Sequence, residues 1–167
     1  MMHADWRLRP AEESDEAFLR QLYGEVRAAE IALFGWDEVA ATAFLRIQFD
    51  AQQRHYAAAY PGARFDIVEQ GGSPVGRLTV HRTADEIRLV DIALLASQRN
   101  RGLGSALLQS LLDEAQAAGK RVTLQVEQHN RARALYRRLG FFETGPESVY
   151  LPMAWQPLGS TIRLQEK

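Results

Sequence analysis

A short glycine-containing loop between a strand-like segment and a helix-like segment most constrains what this chain can be. The loop covers residues 99–105 and reads RNRGLGS. Residues 87–95 form an apolar run that predicts a buried strand, and Ser105 to Ala118 has the apolar spacing of an amphipathic helix. A helix that begins here leaves its first N–H groups unpaired and carries partial positive charge, which suits an anion such as pyrophosphate. Arg99 and Arg101 add positive charge beside it.

Two common phosphate-binding motifs do not fit this loop. A dinucleotide-binding fingerprint needs a third Gly or Ala three residues after the second glycine, and Leu107 stands at that position. A P-loop needs Gly-Lys followed by Ser or Thr, which the loop lacks. If the loop binds a phosphate group, it does so with a different pattern of residues.

Composition limits the remaining possibilities. The chain has 167 residues, a formal net charge of −1 and no cysteine. A chain of this length buries about two thirds of its unfolded surface, so we expect one domain over residues 1–155, followed by a polar tail over 156–167. The absence of cysteine excludes a cysteine nucleophile, and the four histidines show no metal-ligand spacing, so no metal site is expected.

Charge and hydropathy predict the cellular location of such a chain and the partners it does not bind. No apolar run approaches the ~20 residues that span a bilayer, and the first residues lack a secretory core. The near-neutral charge argues against a nucleic-acid surface, although four arginines cluster between Arg131 and Arg138. We therefore expect a cytoplasmic protein that binds neither membrane nor nucleic acid. The tail is polar enough to be partly disordered, although Ile162 and Leu164 could dock on a partner.

Hydrophobic periodicity predicts the order of secondary-structure elements. That order is one strand, helices, a three-strand meander, a helix, a strand, a short helix and two last strands, all on one mixed α/β sheet. The predicted strands are Trp6–Arg9, Ala63–Glu69, Val75–His81, Glu86–Leu95, Arg121–Val126, Phe141–Thr144 and Ser148–Ala154. The predicted helices are Asp15–Val26, one or two helices between Asp37 and about Tyr60, Ser105–Ala118 and Asn130–Leu139.

Two motifs in this order carry a family resemblance. The first is the Arg-x-x-Gly-x-Gly pattern of Arg99 to Gly104, continued by the helix start at 102–108. The second, NRARALYRRLGF at 130–141, follows about 30 residues later, with a strand between. Together they resemble the coenzyme A-binding region of the GNAT acyltransferase superfamily, and the resemblance extends over about the whole chain.

The resemblance implies a fold and a reaction. The fold is the α/β GNAT fold, a single mixed, mostly antiparallel sheet of about six to seven strands flanked by about four helices. The reaction is transfer of an acetyl group from acetyl-CoA, as co-substrate, to a primary amine by direct attack in a ternary complex. The acceptor is a small-molecule or peptide amine, and a homodimer is common in the family. A non-catalytic, CoA-binding regulatory module on the same fold is the alternative.

The resemblance also implies which residues hold acetyl-CoA. The backbone at the strand end would bind the pantetheine arm, and N–H groups at the helix start would bind the pyrophosphate. Two positions depart from the family pattern: Asn100 replaces a frequent glycine, and Ala96 replaces a frequent proline. The predicted cofactor-binding residues are Leu94, Leu95, Arg99, Asn100, Arg101, Gly102, Leu103, Gly104, Ser105, Asn130 and Tyr136.

Two residues of the second motif have alternative roles. The resemblance implies that the Tyr136 hydroxyl is the general acid that protonates the departing thiolate, which suits a phenol because its pKa of about 10 exceeds that of a thiol. Tyr136 could instead be an aromatic packed under the sheet. Asn130 would lie near the pantetheine or the acceptor, but Asn is also among the best helix N-caps.

The general base is predicted from the residues alone. Asp91 is the one ionisable residue in the apolar stretch 89–95, and an acid within a strand needs a partner or a function. It could accept a proton from the acceptor amine through water, or be a structural carboxylate bonded to Arg77, Arg82 or a loop amide. Weaker alternatives for the base are Glu127 and His129. Residues that could line the acceptor pocket are Trp36, Phe49, Gln52, Gln53 and Tyr56.

Overall fold

A computed structural model describes residues 5–160, and seven strands and four α-helices lie within that range. In chain order they are β1 (Trp6–Pro10), α1 (Glu16–Ala32), α2 (Glu38–Ala59), β2 (Arg64–Gln70), β3 (Ser73–Arg82), β4 (Glu86–Leu94), α3 (Leu103–Ala118), β5 (Arg121–Glu127), α4 (Ala132–Arg138), β6 (Phe142–Glu143) and β7 (Tyr150–Trp155). Residues 161–167 of the predicted tail, with Ile162 and Leu164, lie outside the described residues.

The strands form one sheet in the order β1-β2-β3-β4-β5-β7-β6. Strands β4 and β5 pair in parallel, whereas β1 with β2, β2 with β3, β5 with β7 and β6 with β7 pair antiparallel. This confirms the predicted fold class, a mixed and mostly antiparallel sheet with about four helices. No helix within residues 5–160 is long and apolar enough to cross a membrane.

Helix α1 differs most from the prediction. It continues to Ala32 instead of ending at Val26, because residues 27–32 favour a helix and the first break comes at Gly35, with φ of 65°. Val26 is 45% exposed and does not extend the core-facing stripe of Leu22 and Tyr23, which are buried. The following segment forms one helix, α2.

The described chain divides into two compact units. The first contains residues 5–81 and 90–104, and its core includes Leu22, Phe49, Ile67, Leu78 and Leu103. The second contains residues 82–89 and 105–160, and its core includes Leu107, Leu111, Val122, Leu124 and Met153. One domain over residues 1–155 stays a prediction.

Candidate functional site

Strand β4 ends in a tight turn that the protein backbone holds in place. The N–H of Leu95 donates to the carbonyl oxygen of Val75 on β3 at 2.8 Å. Residues Ala96–Gln98 then form a single 3-10 turn, in which the N–H of Gln98 donates to the Leu95 carbonyl at 2.9 Å. The chain therefore leaves the strand through a defined bend with alanine, not proline, at position 96.

The loop after this turn contains two residues with a left-handed backbone conformation. Asn100 has φ of 61° and is the one non-glycine residue with positive φ between residues 5 and 160, while Gly102 has φ of 84°. Asn adopts this conformation more readily than other side chains, since its short polar group bonds locally. Asn100 thus keeps the loop conformation that a glycine would adopt.

The helix start that follows has the electrostatic character predicted for an anion site. Helix α3 begins at Leu103 and has no acidic residue in its first turn, so its partial positive charge is not offset there. Residues 99–102 are exposed, and the Nε of Arg99 donates to the Leu94 carbonyl oxygen at 3.1 Å. A helix start preceded by two exposed arginine residues is a combination that suits a diphosphate.

Gly104 lacks the positive φ that favours a glycine at position 102. A methyl group in place of its hydrogen would lie 3.8 Å from Leu94 Cδ1, an ordinary contact. Neither backbone conformation nor packing therefore requires glycine at this position. The predicted role of Gly104, leaving the first turn of α3 open to a ligand, stays a prediction.

Asp91 lies in the first unit beside a buried cation. Its carboxylate forms an ion pair with Arg77 of β3, with side-chain exposures of 18% for Asp91 and 8% for Arg77. Arg77 Nη2 also donates to Gln52 Oε1 of α2 at 3.1 Å. The structure therefore contains the Asp91–Arg77 partnership that the sequence offered as the structural alternative.

A cavity of about 70 Å³ adjoins this pair. Of the predicted acceptor-pocket residues, Gln53 and Tyr56 line it, Phe49 is buried against the Tyr23 ring, and Trp36 is 45% exposed. Sequence reasoning missed Asp66, a buried carboxylate that lies between two apolar residues, Phe65 and Ile67, in β2. The lining residues are Ala11, Leu19, Gln53, Tyr56, Phe65, Asp66, Arg77, Thr79 and Asp91.

Asn130 and Tyr136 lie in the second unit. Asn130 is exposed, and its Oδ1 accepts a hydrogen bond from the Ala132 N–H at 2.9 Å, but the N-cap of α4 is the next residue, Arg131, which makes no side-chain capping bond. Tyr136 is 6% exposed and packs with its ring centroid 5.6 Å from that of Phe141. The weaker base candidates, Glu127 and His129, are both exposed.

Two of the four arginines of the second motif form ion pairs with acidic side chains. Arg133 Nη1 donates to Glu147 Oε1 at 2.9 Å, and Arg137 Nη2 donates to Glu143 Oε1 at 2.7 Å. Neutralised in this way, these two side chains offer less positive charge to a nucleic-acid backbone than their clustering in the sequence indicates.

The mixed sheet and the loop at the start of α3 are features of an acyltransferase. A family model described as the acetyltransferase (GNAT) family matches residues 7–141, and the chain belongs to this family. A [ribosomal protein bS18]-alanine N-acetyltransferase of Haemophilus influenzae is 32% identical over 79 residues, which cover 47% of this chain and 54% of that relative. The match thus spans about half the length of the curated relative.

Two solved structures share the fold. The PaiA N-acetyltransferase of Thermoplasma acidophilum, in complex with coenzyme A, has a TM-score of 0.68 at 13% identity, covering 90% of this chain and 98% of that one. The ribosomal-protein-S18-alanine N-acetyltransferase of Escherichia coli has a TM-score of 0.61 at 24% identity, covering 95% of this chain and 98% of that one. Identities this low establish the fold alone.

Proposed function

We propose that this acyltransferase moves the acetyl group of acetyl-CoA to a primary amine by direct attack in a ternary complex. The observation that carries the proposal is the continuous segment from Leu94 to the start of α3. It combines a bent strand end, left-handed residues at Asn100 and Gly102, and a helix start without acidic residues. The co-substrate is acetyl-CoA, in line with the family and with a structural neighbour solved in complex with coenzyme A.

In this proposal the loop and the strand end bind different parts of acetyl-CoA. N–H groups of residues 101–105, with the guanidinium groups of Arg99 and Arg101, would hold the diphosphate. Leu94 and Leu95 would hold the pantetheine arm through their backbone. The Leu94 oxygen already accepts from Arg99, but a carbonyl oxygen has two lone pairs and can accept a second hydrogen bond from a pantetheine amide.

The transfer needs no protein nucleophile. The acceptor nitrogen would form the new C–N bond with the thioester carbonyl carbon, and the C–S bond would break. Tyr136 would supply a proton to the departing thiolate, and Asp91, through a water molecule, would take one from the acceptor nitrogen. Positioning of the two substrates would supply much of the rate.

The acceptor in this proposal is a peptide amine or a small-molecule amine. The Haemophilus influenzae relative acts on an alanine of ribosomal protein bS18, which favours including peptide N-termini among the candidate acceptors. A small-molecule amine stays a candidate as well. A CoA-binding module without catalysis is the alternative function, and a cytoplasmic location and a homodimer stay predictions.

Thermal unfolding with acetyl-CoA tests the binding site first. A ligand at about a hundred times its dissociation constant adds roughly 2.7 kcal/mol to the free energy of unfolding. We expect acetyl-CoA and CoA to raise the unfolding temperature, and ATP to leave it unchanged. Absence of a shift with millimolar acetyl-CoA would contradict the proposal.

An acceptor screen then tests catalysis. Because the chain contains no cysteine, a thiol reagent reports only the CoA released by transfer. The panel would contain peptides with different N-terminal residues, free amino acids and small diamines. Binding of acetyl-CoA without thiol release for any amine would favour the non-catalytic module.

A further inference from the structure

Gly76 on β3 lies unusually close to the end of β4. A methyl group in place of its hydrogen would lie 2.4 Å from the Ala93 carbonyl oxygen and 2.6 Å from Leu94 Cδ2. The φ of Gly76 is not positive, so backbone conformation does not require a glycine here. Space alone requires it, and the nearer of the two atoms belongs to the backbone and has no rotamer that would move it away.

The neighbouring residue anchors the same strand end. The pairing of β2 with β3 is irregular between Val68 and Glu69, which face Gly76 and Pro74, so Val75 is an extra residue in β3. Such bulges redirect backbone groups and occur beside active sites. Here the Val75 carbonyl oxygen accepts the Leu95 N–H at 2.8 Å, immediately after β4 ends.

The Leu94 side chain lies between two glycines, but only Gly76 approaches it too closely to accept a side chain. Its Cδ2 faces Gly76 on β3, and its Cδ1 lies 3.8 Å from where a methyl group on Gly104 at the start of α3 would stand. A side chain at position 76 would have to displace the Ala93–Leu94 backbone, and with it the groups that precede the anion-binding loop.

We propose that Gly76 is a positioning residue for acetyl-CoA: its missing side chain, with the Val75–Leu95 hydrogen bond, places the end of β4 where the backbone binds the pantetheine arm. This inference rests on the proposed function. It goes further by assigning a role to β3, which touches the strand end but belongs to neither motif of the sequence.

Isothermal titration of Gly76→Ala tests the proposal with two ligands. Acetyl-CoA carries both the pantetheine arm and the nucleotide half with its diphosphate and 3′-phosphate, whereas 3′-phospho-ADP is that nucleotide half without the arm. We expect the variant to bind acetyl-CoA about tenfold more weakly, because displacement of the strand end would weaken one or more backbone hydrogen bonds to the pantetheine arm. Its affinity for 3′-phospho-ADP should stay within about twofold of the wild type.

Gly24→Ala is the matched control, since a methyl group on this α1 glycine would meet only Leu45 Cδ1 at 3.8 Å. It should bind both ligands as the wild type does. Unchanged acetyl-CoA affinity in folded Gly76→Ala would overturn the proposal, as would equal weakening of both ligands. A wild type that binds neither ligand would instead refute the proposed function and, with it, this inference.

A second variant applies if Gly76→Ala does not fold. Leu95→Pro removes the N–H that donates a hydrogen bond to the Val75 carbonyl oxygen. The Leu95 φ of −53° is compatible with proline. We expect acetyl-CoA affinity to fall about fivefold and 3′-phospho-ADP affinity to be kept, because the strand end loses one positioning hydrogen bond. Retained acetyl-CoA affinity in this variant would overturn the proposal.

Discussion

Arg77 and Asp91 form an ion pair between neighbouring strands of the first unit, and both side chains are less than one-fifth exposed. Arg77 also donates to Gln52, and its guanidinium carbon lies 5.9 Å from the centre of the Tyr23 ring. The pair therefore joins β3, β4 and both helices α1 and α2. Its integrity should matter for folding whether or not Asp91 also accepts a proton.

Asp91→Asn should lower the free energy of unfolding by about 3 kcal/mol, because the Arg77 charge would remain buried without its partner. Urea unfolding measures this loss. Glu114→Gln is the control, since it breaks the more exposed Arg82–Glu114 pair and should cost less than about 1 kcal/mol. If Asp91 is also the base, the folded variant should have a lower kcat than Glu114→Gln. Equal stability losses in the two variants would count against the buried pair.

The Tyr136→Phe variant distinguishes the proposed enzyme from the alternative, a CoA-binding module without catalysis. Loss of the hydroxyl should reduce kcat about 100-fold or more, since general-acid catalysis contributes effects of that order. The affinity for acetyl-CoA should stay within about twofold, because the ring that packs against Phe141 is kept. Turnover measured by thiol release and affinity measured by titration check the two parts, and an unchanged kcat would exclude Tyr136 as the acid.

The left-handed conformation of Asn100 predicts opposite effects for two substitutions. Asn100→Gly should keep both stability and acetyl-CoA affinity, because glycine adopts φ near 60° without strain. Asn100→Val should lower the free energy of unfolding by about 1–2 kcal/mol and weaken binding, because a β-branched residue is strained there. Urea unfolding and titration measure both, and a valine variant that behaves like the glycine variant would contradict this account.

Asp15 predicts a pH dependence of stability. Its buried carboxylate accepts from Arg9 Nη1 and Nη2 at 2.7 Å each and from the Glu12 N–H at 2.8 Å. The hydrogen bonds from Arg9 are the main cause that lowers the pKa of Asp15 to about 2, from an ordinary value of 3.8. The stabilisation is therefore present above about pH 4 and is lost as the pH falls towards 2.

Urea unfolding between pH 5 and about pH 2 measures this effect as the difference between wild type and Asp15→Asn. The difference should shrink as the pH falls, and Arg9→Gln should show the same trend because it removes the other half of the interaction. A difference that stays constant with pH would show that Asp15 stabilises the fold without titrating in this range.

Most elements of the fold were predictable because their signals are local. The glycines of the β2–β3 turn, the apolar stripe of α3 and the left-handed Gly119 after it each follow from a few adjacent residues. The extension of α1 beyond Val26 was missed, since exposed residues with good helix propensity continue a helix after its core-facing stripe has ended.

The sequence by itself determined the order of elements, the family and the position of the loop between β4 and α3, because periodicity and turn chemistry act over short stretches of chain. Only the tertiary structure decided that β7 lies between β5 and β6, that Asp91 pairs with Arg77 rather than Arg82, and that Gly76 must lack a side chain. Each of these depends on residues distant in sequence that approach within a few ångströms. Such proximity has no signature in either segment alone.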